Sequence, residues 1–549
     1  MRKSIGTAVA SAIASLIIGA ATLAAPKADA SRFLVSHGTG KQAALISTIE
    51  AAGGRVVHRY KHVPGVVAEL SPDALRQVRS SGTATAIEAD VARKLHAHLP
   101  DFTTEFIQFG VTQVRANELW ASGPDFDQPD VRANPIATGD GVVVAVLDTG
   151  IDFAHPDLAD NIAPNICGSG VIRDFIGTNP PNIEPDDCPA DDLPAEIQGH
   201  GTSTASVIGA VDNLVGVIGV APRVTIVPYR VCFADFTNGC PLSAIIGGLE
   251  QAIDDGADVI NMSFGGRGGF HIEAAAIQAA NRNGIVMVAS AGNDASQQSN
   301  FPAAYATVIA TGAVDANNGL ASFSNVGGWV DVTAPGVDVP AATVQGAGRD
   351  AFLEENTPPG TEFVPNPFTG SGLGSATGDV TFAGLGTTQD AAAACGSGAC
   401  DGRIVLIQRG AITFAEKVQN VLADSPAAAG VLIFNNVAGN FFGTLGEFVA
   451  TIPVVSLSDT DGAGLRDRVA AGTVNVTVEV TATDYALVSG TSFSAPHVSG
   501  VVALVREVNP ALSPIEVRSI IGKTARPIGP QVIFGAGLVD AATAVEAAQ

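Results

Sequence analysis

Residues 142–147, Val-Val-Val-Ala-Val-Leu, carry no polar side chain and stop on Asp148. Successive residues of a strand point to opposite faces. A run that is apolar at every position therefore needs both faces covered, as in the interior of a parallel sheet. Further, predominantly apolar runs lie at Val224–Val231, Asp258–Met262 and Ile285–Ala289. Between them fall helical stretches over Leu242–Asp255 and His271–Asn283, each closed by a glycine, Gly256 or Gly284. Strand and helix in alternation from about residue 104 predict an α/β fold with a doubly wound parallel sheet. Such a sheet binds its ligands at the carboxyl ends of its strands, which is where Asp148 stands.

The alternation does not fill the 549 residues, which are too many for one ordinary core. It breaks near Gln345, gives way over 346–483 to Gly-, Thr- and Pro-punctuated short β-like stretches, and resumes at Asp484. This predicts an inserted β-rich domain between two parts of one catalytic domain, 100–345 and 484–549. Ahead of it, residues 31–99 read as strand, helix, strand, strand, helix, strand, a compact α+β unit of ferredoxin-like order. Ser71-Pro72-Asp73 supplies an N-cap with Pro in the first turn of its second helix. Residues 1–30 open with Arg2-Lys3, run uncharged from Ser4 to Ala25 and end on Ala28-Asp29-Ala30. A positive start, an apolar stretch and a small-x-small end make a secretory signal peptide. The run is rich in Ala, Ser and Gly rather than Leu, which argues against an uncleaved anchor. The expectation is a secreted, extracellular protein free of the membrane once the signal is cut.

Charge separates the same parts. The chain carries a formal −25, of which residues 1–30 hold +2 and residues 31–100 hold +4, leaving −31 on residues 101–549. That acidic body excludes nucleic acid as a partner, since phosphate binding needs clustered Lys and Arg. A basic unit beside it suggests two parts that attract each other. Five of the nine histidines (His37, His58, His62, His96 and His98) fall in the basic unit. The six cysteines, an even number in an exported chain, point to disulfides. Spacing suggests the loops Cys167–Cys188, Cys232–Cys240 and Cys395–Cys400, one of fifteen possible connectivities.

Three short motifs carry chemistry. One ends a buried strand on Asp148-Thr-Gly, the second opens a helix with Gly-His200-Gly-Thr, and the third opens another with Gly-Thr-Ser492-Phe-Ser-Ala-Pro-His. A serine hydroxyl is a poor nucleophile until a base takes its proton. Imidazole suits that task, and a buried carboxylate fixes its tautomer and steadies the imidazolium. A serine at a helix start also brings free backbone N–H groups to a developing oxyanion.

With these motifs the chain resembles the subtilisin family, through VVVAVLDTGIDFAHPDL, GHGTSTAS, GVIGVAP, DVINMSFGG, SAGND, VTAPG, GTSFSAPHVSG and GAGLVDA. The resemblance implies a serine endopeptidase that hydrolyses peptide bonds through an acyl-enzyme. Asp148 would be the orienting acid, His200 the base, Ser492 the nucleophile and Asn293 a side-chain oxyanion donor. Ser263-Phe264-Gly265 and Ser290-Ala291-Gly292 would flank an extended substrate backbone. Two departures stand out. Asn300 falls where a Gly at the pocket floor is usual, with Asp294 by the rim, and Phe493 stands where many relatives carry an oxidisable Met. The resemblance further implies a structural calcium ion on Asp157, Val211, Asn213, Val215 and Val217, with Glu105 contributing from the mature N-terminus. Residues 31–99 resemble the family's inhibitory propeptide, so that the mature chain would begin near 100–104 after autoprocessing of a zymogen. CDGRIVLIQRGAITFAEKVQNV, AAGVLIFNN and IPVVSLS in the insert resemble the protease-associated domain. Partners are then protein or peptide substrates and the chain's own propeptide, on a monomer. A binding protein that kept the fold without activity would not need all four active-site residues. A relative working in acid would carry Glu in place of His200.

Overall fold

A computed structural model describes residues 31–90, 92–95, 106–120, 136–163, 173–176, 199–213, 215–233, 239–357, 361–441, 443–446 and 448–549. The signal segment, Glu105, the 100–104 start and the Cys167–Cys188 pair lie outside these residues.

Seven parallel strands form the central sheet, in the order Val332–Pro335, Val308–Val314, Val286–Ser290, Val259–Met262, Val143–Asp148, Thr225–Arg230 and Arg173–Asp174. The apolar runs are explained by what covers them. Val144 and Val146 pack with Val259, Val288, Ala205, Val498 and Val501 in one core, built on the helices His200–Gly209 and Thr491–Val508. Ala145 and Leu147 pack with Ile260, Met287, Ile245 and Ile277 in the other, under the helices Leu242–Asp254 and His271–Arg282. Chain order reverses at Val143–Asp148: the strand that follows it in the sheet on one side is Thr225–Arg230, and the chain then crosses to Val259–Met262 on the other. Asp148 therefore ends its strand at the topological switch point, where an open sheet leaves a crevice.

The N-terminal unit carries the strands Ser31–His37, Arg55–Arg59, Gly65–Leu70 and Ala84–Ala89 in one antiparallel sheet, with the first strand between the third and fourth. Helices Gln42–Ala51 and Pro72–Ser80 pack on it through Leu45, Ile49, Ala74 and Val78. The Ser71 hydroxyl accepts from the Ala74 N–H, 3.2 Å, as an N-cap before Pro72 should.

The insert leaves and re-enters the catalytic body at one place. Val339–Ala342 pairs antiparallel with Tyr485–Val488, and the Thr343 N–H donates to the Asp484 carbonyl over 2.8 Å. Because the two ends are neighbours, a whole domain fits between them without stretching the sheet. Inside it, Gly348–Glu355, Asn475–Thr483 and Gly374–Phe382 form an antiparallel ladder that continues into the parallel strands Ile404–Gln408, Gly430–Phe434 and Val454–Leu457. Besides its strands the insert carries the helices Thr388–Cys395, Phe414–Asp424 and Asp459–Ala471. The disulfides Cys232–Cys240 and Cys395–Cys400 are both formed.

Candidate active site

Asp148 and His200 meet at the carboxyl end of the sheet. The His200 Nδ1 lies 2.7 Å from Asp148 Oδ1, and both side chains are buried. A carboxylate can only accept, so Nδ1 carries the hydrogen and Nε2 keeps a lone pair, the tautomer a general base requires. Asp148 Oδ1 is held by the Thr149 N–H at 2.7 Å. The close approach depends on Gly201, where a Cβ would lie 2.1 Å from the Gly150 carbonyl oxygen. That is why a glycine follows His200.

Ser492 begins the long helix Thr491–Val508, and a proline inside this helix shapes its surroundings. Pro496 has no N–H to give the Ser492 carbonyl four residues back. The Ser263 hydroxyl fills the gap, donating to that carbonyl at 2.7 Å, while the Ser492 hydroxyl donates to the Ser263 carbonyl at 2.8 Å. Asn261 extends the chain of bonds, its Nδ2 donating to Ser263 Oγ and its Oδ1 accepting from Ser499 Oγ. His200 Nε2 has no hydrogen-bond partner here, and its ring lies 5.3 Å from that of Phe493, the residue next to Ser492. A turn of Ser492 from one staggered χ1 well to another exchanges the Ser263 carbonyl for another acceptor.

Asn293 is oriented by the residue before Ser492. Its Oδ1 accepts from both the backbone N–H and the hydroxyl of Thr491, at 2.9 and 2.8 Å. With the oxygen committed, the donor end of the amide is the one left to bond another group. Asn325 holds the neighbouring loop, donating to the Ala291 carbonyl and accepting from the N–H groups of Asp294 and Ser296.

An extended segment of the chain itself, Ala92–Leu95, runs beside these groups. It pairs antiparallel with Phe264–Gly265 on one side and Cys240–Pro241 on the other. Phe264 and Gly265, two of the residues expected to flank a substrate, thus flank this segment, and Cys240–Pro241 is a flank the sequence did not single out. Ser290 pairs in the central sheet with Thr311, the Ala291 N–H bonds the Thr311 carbonyl, and the Gly292 N–H bonds Thr491 Oγ1.

The residues nominated for calcium are brought together. The Asp157 backbone carbonyl accepts from the Val211 N–H, and its fully buried carboxylate accepts from the Val217 N–H at 2.9 Å and the Tyr485 hydroxyl at 3.1 Å. Asn213 Oδ1 takes the Val215 N–H, and its Nδ2 reaches the Pro156 carbonyl. Burial raises the Asp157 carboxyl above its ordinary range, opposed by these donors and by nearby His155. Asp157 supplies a buried carboxylate and Asn213 an amide oxygen, ligands of the hard kind that suit calcium, and a cation there would relieve the desolvation that burial imposes. Among the described residues no group of three or more His, Cys, Asp and Glu forms a metal cluster, so such an ion would rest mainly on carbonyl and amide oxygens.

His497, on the helix after Ser492, is structural. Its Nδ1 lies 2.7 Å from the Phe493 carbonyl, and burial pushes its pKa down to about 4. Unfolded, it would titrate near 6.5 and bind more protons than the folded state between these values. Its contribution is therefore fully present above about pH 6.5 and lost as pH falls towards 4, by roughly 3 kcal/mol at most. Urea midpoints of the phosphonylated enzyme should fall over that window, and His497→Asn should flatten the fall. A variant as acid-sensitive as the parent would remove His497 as the cause.

Comparison with known proteins gives the family. The profile of the Subtilase family matches residues 139–371 and 463–537, and that of the PA domain matches 374–465. The chain belongs to the subtilase family and is a serine endopeptidase of the subtilisin type, with an inserted PA domain. It is 33% identical over 309 residues to subtilisin NAT of Bacillus subtilis subsp. natto, covering 55% of this chain and 70% of that one. To a thermostable alkaline protease of Halalkalibacterium halodurans it is 31% identical over 339 residues, covering 62% and 81%. Among solved structures, the psychrophilic subtilisin-like protease Apa1 of Pseudoalteromonas sp. AS-11 superposes with a TM-score of 0.52 at 25% identity, covering 80% of this chain and 97% of that one. Fervidolysin of Fervidobacterium pennivorans shares the fold, with a TM-score of 0.54 at 20% identity, covering 94% and 61%.

Proposed function

We propose that the chain is a secreted zymogen whose mature form cuts proteins through Ser492, with His200 as base, Asp148 as its orienting acid and Asn293 as oxyanion donor. The observation that carries this is the buried His200–Asp148 bond, which leaves Nε2 unpartnered on a ring 5.3 Å from that of Phe493, the residue after Ser492. Turned towards Nε2, the Ser492 hydroxyl gives up its proton as it attacks a peptide carbonyl. The imidazolium then protonates the leaving amine, and water repeats the sequence on the acyl-enzyme. Casein should be hydrolysed at pH 8, and a phosphonyl fluoride should stop hydrolysis while labelling the tryptic peptide that contains Ser492. A label elsewhere, with hydrolysis intact, would refute the assignment.

Contacts between the N-terminal unit and the catalytic body support its role as an inhibitory propeptide. The Glu250 carboxylate accepts the backbone N–H groups of Lys61, His62 and Val63, at 3.0, 2.7 and 3.0 Å. Lys61 Nζ and His62 Nε2 both lie 2.7 Å from Asp254. In the other direction, Glu88 receives the N–H groups of His271 and Ile272, and Asp90 receives the N–H of Ser243 and bonds its hydroxyl. Each of these two carboxylates sits at a helix start, where unpaired N–H groups and the helix dipole favour negative charge. The strand Ala92–Leu95 then fills the cleft that a substrate would use.

A calcium ion on Asp157, Asn213 Oδ1 and the carbonyls of Val211, Val215 and Val217 belongs to the same reading. Its positive charge would stabilise the buried carboxylate and tie the loop to Tyr485, where the insert rejoins the body. A cation at 100 to 1,000 times its Kd contributes about 3–4 kcal/mol, which moves the Tm of a domain this size by roughly 10 °C. Chelator should lower the Tm by that order, and calcium should restore it. An unchanged Tm would dispose of the site.

A further inference from the structure

We infer that Asn300 makes this cleft select an uncharged, hydrogen-bonding side chain, of the Gln, Asn or His kind, on the residue that precedes the cut bond. This deepens the catalytic reading of Ser492 and rests on it. Asn300 is 4% exposed, and its Nδ2 has no hydrogen-bond partner. It is fixed from both ends: the Asn300 carbonyl accepts from the Ala304 N–H, and Phe301 exchanges both backbone bonds with Gly266. The amide lies between the two stretches that flank a substrate. A Cβ on Gly265 would come 2.2 Å from Asn300 Nδ2, and one on Gly292 would come 3.0 Å from it.

Register decides which substrate side chain meets this amide. The Ser492 hydroxyl rests on the Ser263 carbonyl, so the substrate residue opposite Ser263 is the one whose carbonyl it can attack. In an antiparallel ladder, the residues opposite Ser263 and Gly265 lie two apart and put their side chains on one face. That is the face on which Gly265 looks at Asn300. A buried amide left unpaired is unfavourable, and a partner that satisfies it is selected over one that cannot. Gln, Asn and neutral His carry both a donor and an acceptor, so they pair with the amide whichever of its ends faces them. Lys and Arg only donate, and the −31 carried by residues 101–549, with exposed Asp294 nearby, opposes Asp and Glu.

The chain's own sequence offers the cleft such a residue. Leu95 pairs with Phe264 and Lys94 with Gly265, and the next residue in the sequence is His96, a side chain of the selected kind. Autoprocessing would then cut His96–Ala97, a few residues before the 100–104 start that the sequence suggested.

Mature enzyme assayed on peptides that differ only at the residue before the cut tests this. The parent should prefer Gln to the near-isosteric Met by about tenfold or more in kcat/KM. Asn300→Gly should bring that ratio to one or below, favouring large apolar side chains. Asn300→Asp, of the same shape but accepting only, should instead favour Lys and Arg. Amino-terminal sequencing of the processed enzyme should begin at Ala97. A parent that prefers Met or Leu, a ratio unmoved in both variants, or a different first residue would overturn the inference. No cleavage of any peptide would overturn the catalytic reading beneath it, which labelling at Ser492 checks separately.

Discussion

Ser492→Ala should lower turnover about a million-fold and leave the precursor uncut, its N-terminal unit still covalently in place. The size is the one measured when the nucleophile is removed from a subtilisin, and is borrowed rather than deduced from this structure. The direction follows from the geometry. Without a hydroxyl, His200 Nε2 has no proton to take, and residual hydrolysis depends on an activated water and the oxyanion donors alone. The fold should survive. The lost hydroxyl bonds only the Ser263 carbonyl, a neutral bond worth about 1 kcal/mol net, while the Ser263 hydroxyl still reaches the backbone carbonyl of residue 492. The readouts are kcat on a peptide ester and the intact mass of purified protein. Wild-type turnover by a folded variant, or its spontaneous processing in the absence of other protease, would end the assignment.

What the sequence revealed and what it hid divide along a physical line. Strand runs such as 142–147 and 285–289 were legible because burial on both faces leaves a mark on every residue. Asp148, His200 and Ser492 were legible because each sits where an element begins or ends, among glycines that close packing requires. Groups that act through another residue left no local mark. Ser263 and Ser492 exchange hydroxyl-to-carbonyl bonds across 229 positions, one of them to the carbonyl that Pro496, lacking an N–H, leaves without its helix partner. Thr491 and Asn325, which aim Asn293 and hold its loop, are ordinary polar residues until the fold brings them there. Glu250 looks like one more surface carboxylate on a helix, and gathers three N–H groups from a unit about 190 residues away. The insert's helices were blurred by the Gly and Thr punctuation around them, whereas its outer strands, 348–355 and 475–483, pair across more than a hundred residues, beyond any local pattern.

Tyr485 shows how such distant pairings join the parts. Its hydroxyl bonds Asp157, its ring meets His155 edge-on at 5.3 Å, and its backbone pairs with Ala342, the end of the strand that leads to the insert. His155 Nε2 in turn reaches the Asp484 carbonyl at 3.1 Å. The loop proposed for calcium is thus clamped to the root of the insert.

Asn293→Leu should lower kcat by about 10²–10³ with KM nearly unchanged, a size again known from a subtilisin. The interaction at stake does not exist in the ground state. A planar carbonyl does not need the Asn293 N–H, whereas the tetrahedral oxyanion does, so the loss falls on kcat. Thr491 makes this prediction sharper. Because its N–H and hydroxyl both hold Asn293 Oδ1, Thr491→Val removes one of the two bonds that point the donor without touching the substrate. It should cost several-fold in kcat in the parent and little more once Asn293 is already Leu, since there is then no amide left to aim. The double variant measures that coupling directly. Additive losses would mean that Thr491 acts through some other route, such as the Gly292 N–H that its hydroxyl also accepts. A KM effect as large as the kcat effect would mean that Asn293 binds substrate rather than the transition state.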